Sequence, residues 1–287
     1  MAGELIKSLQ VGIRRRWWSG IVEAFGAAGA VWLITEIANM VSIPVEQWIK
    51  GHGGYYIAFV AAASAIAFVR QIYEVRSVNF ILPTTNTKIE IRYGDLLSEP
   101  TDWLIGVGEF FDSELGQVVS KNSLHGKLIT AVFNGDSSRF RNMVDAALLG
   151  IRGTRTQRQI SPKTKYEIGT TAILPNGPHK IFLVAMSHTH LDTHKASSDV
   201  PTLWIALRGA LQSIHSHGNG APISMPLIGN GQSSVNIAPQ HLLRLIVLAI
   251  VDYGRRAGLP KQVSIIVPED CFKMLDIREI RRDWRKT

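Results

Sequence analysis

Between Gly20 and Val69 apolar residues follow one another with few polar interruptions, and from about Ser77 onward they recur every second or every third to fourth position. This change of pattern divides the chain into a segment 1–77 and a segment 78–287. Two windows in the first segment are candidates for membrane helices, "GIVEAFGAAGAVWLITEIANMVSI" (20–43) and "GGYYIAFVAAASAIAFV" (53–69). A helix needs ~20 largely apolar residues to cross the hydrocarbon core. The first window is long enough, and the second becomes so when extended to Tyr73, which places the predicted spans at about 18–43 and 53–73. Between them "PVEQWIKGHG" predicts a tight external turn. The competing reading is a chain whose alanine-rich helices are buried in its own core.

The second segment alternates strand and helix patterns. "KIEIRYGD", "DWLIGVG", "TTAILP", "KIFLVAM", "APISMPLIG" and "QVSIIVP" read as short strands, several of them continuously apolar as in a buried sheet. "SRFRNMVDAALLGI", "PTLWIALRGALQSIHSHG" and "APQHLLRLIVLAIVDYGRRAG" carry apolar residues at helical spacing, the last two with a proline at the start and a glycine at the end. Alternation of this kind predicts an α/β layered sandwich on a parallel or mixed sheet, with ligands bound beyond the carboxyl ends of the strands.

Charge orients the hairpin. "RRRWW" (14–18) precedes the first window, Arg70 and Arg76 follow the second, and the turn holds only Lys50. Positive flanks on both outer ends predict a multi-pass membrane protein with both ends of the hairpin, and the soluble domain, in the cytoplasm. Glu23 lies within reach of the interface, whereas Glu36 is deeper and requires a proton, a partner helix or water. The spacing from Gly26 to Ala30 and the run "AAASA" permit close helix contact. We therefore expect hairpins to associate into a homo-oligomer, unless these small residues only fill the hairpin itself. The single cysteine, Cys271, excludes an intramolecular disulfide and suits a reducing compartment. The net charge of +8 includes the basic tail "REIRRDWRKT", expected either to touch anionic lipid or to be solvated. No basic stripe with interleaved aromatics argues for nucleic-acid binding.

Candidate chemistry lies in the loops after strands. In "MPLIGNGQSS", Gly229 and Gly231 bracket Asn230, and Gln232 and Ser233 follow. Successive backbone N–H groups around such glycines can form a concavity for a diphosphate, or merely a turn; no lysine follows to make a Walker sequence. Asp95, ahead of Leu96, can accept from a base amine or cap the following turn. Phe110 and Phe111 either stack on a base or ribose or belong to the core, with at least one expected in the core. "SHTHLDTH" (187–194) invites comparison with the His-x-His-x-Asp-His ligand set of metallo-β-lactamases. Its last histidine arrives one residue late, and the other histidines lie in predicted helices with no matching motif. We expect no metal here, and instead a polar loop from which His188 or Asp192 contacts the terminal group of a ligand.

Taken in order, "YGDLL", "GVGEFFDSELG", "NSLHGKLI", "KYEIGTTAILP" and "MPLIGNGQ" resemble the divergent macro domain of Thoeris anti-phage systems, over roughly 79–268. With the apolar hairpin ahead of it, the chain resembles the transmembrane macro-domain effectors of type II Thoeris. The resemblance implies a macro-domain-like three-layer α/β/α sandwich behind a two-helix transmembrane hairpin. It also implies a sensor-effector role. A partner TIR-domain enzyme makes an ADP-ribose-derived signal, histidine joined to ADP-ribose; the macro domain binds it, and the membrane part rearranges or oligomerises, disrupts the membrane and kills the infected cell. The bound nucleotide is a ligand, and no cofactor is implied. Carried over by position, Asp95 reads the adenine amine with Leu96 beside it, and Val107, Gly108, Glu109, Phe110, Phe111 and Asp112 lie near the distal ribose. Gly229, Asn230, Gly231, Gln232 and Ser233 match the diphosphate loop. Hydrolytic macro domains place an asparagine and a run of glycines where this chain has "GVGEFFD", which favours a binding module over a catalyst. The rival expectation is a membrane-bound hydrolase of ADP-ribose derivatives, or a metal-dependent hydrolase using His188, His190 and Asp192.

Overall fold

A computed structural model describes residues 2–41, 43–82, 85–231 and 235–285. The chain forms two compact units, 1–75 and 76–287.

The first unit is helical. Helix α1 (Ala2–Val41) has non-helical dihedrals at Arg16 (φ −135°, ψ 18°), which kink it inside "RRRWW". Helices α2 (Ile43–Gly51) and α3 (Gly53–Ile72) follow. At 1.5 Å per residue, α1 is about 60 Å long, twice the ~30 Å hydrocarbon thickness. The portion beyond the kink is therefore enough to span. Helix α3 packs back along α1. Gly12 makes this possible, because a Cβ there would lie 1.5 Å from the carbonyl oxygen of Ile72. Ser8 donates to the Glu74 carbonyl (2.6 Å), and the buried Glu74 carboxylate faces Arg15 and Arg16 at 3.6 and 3.9 Å. Higher up, the Tyr56 hydroxyl donates to Thr35 Oγ1 at 3.2 Å.

The apolar side chains of these helices point outward. Phe25 is 76%, Ile34 68% and Ile57 69% exposed, so these side chains are not buried in a core of this chain. By length and composition they are two candidate membrane spans. A Cβ at Gly26 would meet nothing within 4 Å, and Ala30 is exposed, so this pair is not used in packing α1 against α3. Glu36 is half-buried. The predicted tight turn is instead helix α2, supported by an i,i+4 pair between Lys50 and Glu46 (2.6 Å) and by His52 stacked on Trp48 (5.0 Å).

The second unit is built on one sheet. Its strands are β1 (Ser77–Ile81), β2 (Lys88–Tyr93), β3 (Asp102–Gly108), β6 (Thr171–Asn176), β7 (His179–Thr189), β8 (Ala196–Ser197), β9 (Ile223–Pro226) and β10 (Gln262–Val267). Strands β4 (Thr154–Arg155) and β5 (Thr164–Lys165) pair separately. The order across the sheet is β1-β2-β10-β9-β3-β7-β6, with β8 folded back on β7. Strands β2, β10, β9, β3 and β7 are mutually parallel, while β1 and β6 run antiparallel at the two edges. All five parallel strands therefore end on one edge.

Helices cover both faces. They are α4 (Leu124–Phe133), α5 (Ser137–Ala147), α6 (Val200–His217), α7 (Pro239–Gly254) and α8 (Ile277–Arg285). Ile105, Val107, Ile181, Leu183 and Ala185 share a core with Leu128, Ile129, Phe133, Phe140 and Val144 of α4 and α5. The alternate residues Leu104, Phe182, Val184 and Met186 are also buried, on the face where α6 meets β7. Carboxylates of Asp136 and Asp199 and the Ser123 hydroxyl cap α5, α6 and α4, each stabilising by about 1 kcal/mol. This is the α/β sandwich that the periodicity predicts. The elements not predicted are α4, α8, β1 and the two-residue strands β4, β5 and β8. The basic tail is no loose arm, since Ile277 and Ile280 are buried and Arg244 of α7 pairs with Glu279 and Asp283 (both 3.0 Å).

His125, in the first turn of α4, has a buried Nε2 without a hydrogen-bond partner among the described residues, and burial lowers its pKa to about 4. The unfolded chain takes up this proton near pH 6.5 and the folded chain only near 4. Nothing is lost above about pH 6.5; as pH falls from there the penalty grows, reaching about 2 kcal/mol at pH 5 and about 3 kcal/mol below 4. Denaturation of the detergent-solubilised chain should show this loss between pH 6.5 and 5, and His125→Phe should flatten that part of the profile.

Candidate functional site

The loop after β3 is the most constrained part of the shared strand edge. A bulge between Val107 and Gly108 shifts the register against β7, so that Gly108 pairs with Ser187. The Glu109 N–H donates to the Ser187 carbonyl (3.0 Å), and the Glu109 carbonyl accepts from Tyr166 N–H (2.9 Å). Phe111 adopts a left-handed φ of 51°, held by its N–H on the Gly108 carbonyl (2.9 Å) and by Arg141 donating to its carbonyl (3.3 Å). Non-glycine residues in this region are strained, and such strain persists only where surrounding contacts fix it.

Both loop carboxylates are buried and held. Glu109 is 1% exposed; its carboxylate accepts from Thr189 N–H (3.1 Å) and lies 2.8 Å from His188 Nδ1 and 3.2 Å from Lys165 Nζ. Asp112 faces Arg158, whose guanidinium donates from Nη1 (2.6 Å) and Nη2 (3.2 Å) to its two oxygens. The same guanidinium lies 4.4 Å from the Phe110 ring centre and donates to the Pro162 carbonyl (3.3 Å). Burial raises the pKa of Asp112, opposed by the Arg158 hydrogen bond and by charge on Arg158, Arg141 and His194. Both phenylalanines are core: Phe110 is fully buried under Arg158, and Phe111 meets Tyr166 edge-on at 5.6 Å. Neither ring lies at a surface where it could stack on a base or ribose. From Glu109 to Asp112 the loop is buried, and the N–H groups of Glu109 and Phe111 are already bonded within the fold; only Gly108 is partly exposed, with Val107 buried beneath it.

The other sequence-predicted residues lie along the same edge. Asp95 follows β2, is exposed, and accepts from Leu97 N–H (3.1 Å), so it caps the short 3₁₀ turn Leu96–Ser98; Leu96 is buried. After β9, Gly229 turns with φ 90°, and a Cβ there would press on Val235 (3.0 Å), Leu242 (3.2 Å) and Leu203 (3.4 Å). Asn230 donates from Nδ2 to Cys271 Sγ (3.3 Å). A Cβ at Gly231 would meet none of the described residues within 4 Å. Gln232 and Ser233 lie outside the described residues. Burial, reinforced by Asp270, pushes the Cys271 thiol up to about 11, so it carries no thiolate at neutral pH.

His188 is half-exposed above Glu109. His190 Nδ1 accepts from the backbone N–H groups of Asp192 and Thr193 (both 3.3 Å), closing the turn between β7 and β8. Among the described residues no three His, Cys, Asp or Glu side chains converge as metal ligands. The sequence motif is thus a strand end and a hairpin turn. Lys165, Arg158 and Tyr166 were missed from sequence, where they sit in an irregular basic stretch with no periodicity to mark them.

The matched family model decides the relationship. The Thoeris protein ThsA macro-domain model matches residues 89–268, well over half the chain. The chain belongs to the Thoeris ThsA macro-domain family. Solved structures agree in fold. An Oceanobacillus iheyensis macrodomain with ADP has 14% identity and a TM-score of 0.50, covering 74% of this chain and 98% of that one. A glycine-to-valine mutant of that macrodomain with ADPR has 14% identity and a TM-score of 0.51, covering 74% and 100%. An aspartate-to-alanine mutant gives the same values. Among curated protein sequences none matches. This ThsA-family chain thus carries the macro-domain fold after two apolar helices.

Removing one partner of a buried ion pair strands the other charge and costs about 3–5 kcal/mol. Asp112→Ala, which leaves Arg158 buried and unpaired, should lower the unfolding free energy by that amount in denaturant titration. Asp95→Ala, which removes only an exposed cap, should cost about 1 kcal/mol.

Proposed function

We propose that the second unit binds an ADP-ribose-derived nucleotide along the shared edge of the parallel strands and that the chain is a membrane-anchored sensor-effector. The observation that carries this is the pairing, on adjacent strand ends, of the glycine turn Gly229–Gly231 with the immobilised loop Gly108–Asp112. Backbone amides at such a turn suit a pyrophosphate without a cation, and a rigid neighbouring loop suits a ribose. The macrodomains of like fold with ADP and ADPR support the choice of ligand. In this reading Asp95, on the end of β2, reads the adenine amine, and His188, at the end of β7, contacts the far end of the ligand.

A binding module fits the site better than a catalyst. Glu109, the best-placed carboxylate for acid–base work, is buried under three polar partners. In the reading we favour, a TIR-domain enzyme supplies the signal, histidine joined to ADP-ribose, and the hairpin lies in the inner membrane with the soluble unit in the cytoplasm. Binding then favours a different arrangement of hairpins. The outward-facing Gly26 and Ala30 and the half-buried Glu36 support helix pairing between hairpins, with membrane disruption and cell death as the outcome.

Calorimetry of the detergent-solubilised chain with ADP-ribose should show stoichiometric binding without turnover. Gly231→Asp, which places a carboxylate at the turn, should weaken it at least ~100-fold, about 3 kcal/mol, with an unchanged melting temperature. Unchanged affinity would remove the turn from the site, and steady conversion of ligand would make the protein an enzyme. Glu36→Leu should leave ADP-ribose affinity unaltered while reducing dye leakage from ligand-treated proteoliposomes; undiminished leakage would deny Glu36 a role.

A further inference from the structure

Beyond the loop after β3 lies a cavity of about 590 Å³, formed by the continuation of that loop and the turn after β7. Lys121, Lys195, His194, Ser120 and Gln117 are among its lining residues, and none of those lining residues is acidic. Two lysines among the lining residues, with the nearby Asp112 carboxylate already paired to Arg158, make the recess electropositive and favourable to an anion.

The turn that supplies half of it is built tightly. His190 N–H donates to the Lys195 carbonyl (3.0 Å), His194 N–H donates to the His190 carbonyl (2.9 Å), and His188 and Thr189 pair with Ser197 and Ala196. This frame holds His194 at φ 56°, a conformation costly for a residue with a side chain. Its Nδ1 is buried with no hydrogen-bond partner among the described residues.

The recess adjoins the proposed nucleotide site. Gly116 to Lys121 continue from Asp112, and His194 is close enough for its charge to bear on the Asp112 carboxylate. We infer that this cavity is a second anion subsite, which takes an acidic group carried on the far end of the nucleotide held along the strand edge. The inference rests on the nucleotide reading above. It adds a specificity element in which Lys121 and Lys195 supply the charge and His194 a hydrogen bond.

The test is calorimetry on the full chain with ADP-ribose and with ADP-ribose 1″-phosphate, which differs by a terminal anion. Wild type should bind the phosphorylated probe at least ~10-fold more tightly. The double variant Lys121→Gln, Lys195→Gln should keep its ADP-ribose affinity and lose that preference. Arg255→Gln, Arg256→Gln, which removes the same charge from the opposite edge, should keep the preference. Equal affinities in wild type, a preference that survives the lysine changes, or one lost equally in the arginine control would each overturn the subsite while leaving ADP-ribose binding in place. Absence of ADP-ribose binding would instead overturn the nucleotide reading and the subsite with it. Inorganic phosphate separates the sources: if it binds wild type but not the lysine variant as tightly as the phosphorylated probe does, the cavity takes a free anion and not a ligand terminus.

Discussion

Two buried carboxylates hold the edge on which a ligand would sit. Glu109 ties the loop after β3 to β7 and to the β5 segment, through Thr189, His188 and Lys165. Asp112 ties it to Arg158, some 46 residues further along. Burying charge is unfavourable unless it is paired and hydrogen-bonded, and both groups are. The return on this cost is a loop whose backbone, strained at Phe111, has few alternative conformations. A loop fixed in this way holds the shape of the rim beside it, and a preformed rim loses little entropy when a ligand is bound.

The sheet puts that surface to use. Because five adjacent strands run parallel, their carboxyl ends line up, and the turns after β2, β9, β3 and β7 fall along one rim. The rim differs along its length: Asp95 caps its own turn, Phe110 and Phe111 face the core, Gly229 packs closely under Val235, Leu242 and Leu203, and a Cβ at Gly231 would meet none of the described residues within 4 Å. The helical unit follows the opposite logic. There the large apolar side chains face outward, and close packing depends on an absent side chain at Gly12.

Sequence periodicity was enough for β2, β3, β6, β7, β9 and β10 and for the two long helices of the soluble unit, because runs such as "KIFLVAM" and "LLRLIVLAIV" have one dominant pattern each. It missed β1, whose five residues alternate but are too few to stand out, and α8, whose two buried isoleucines are hidden among arginines. The turn predicted between the spans became α2 because Glu46 and Lys50 support a helical turn there. Order along the chain picked out the loops after strands, and the sheet brings those loops to one rim. It said nothing of side-chain direction within them. Whether Phe110 stacks on a ligand or on Arg158 depends on a residue 48 positions away, and no local pattern encodes that pairing. The histidine motif illustrates the same limit, since His188 belongs to a strand and His190 to a turn, and they serve different neighbours.

The central claim is that the rim of parallel strand ends, and not another surface, receives the nucleotide. Amide hydrogen exchange on the full chain, with and without saturating ADP-ribose, tests it most directly. The account predicts slower exchange in 95–97, 108–113 and 227–235, with no change around 254–261 at the opposite end of the sheet. Protection confined to that opposite end, or no protection along the rim at saturation, would contradict it.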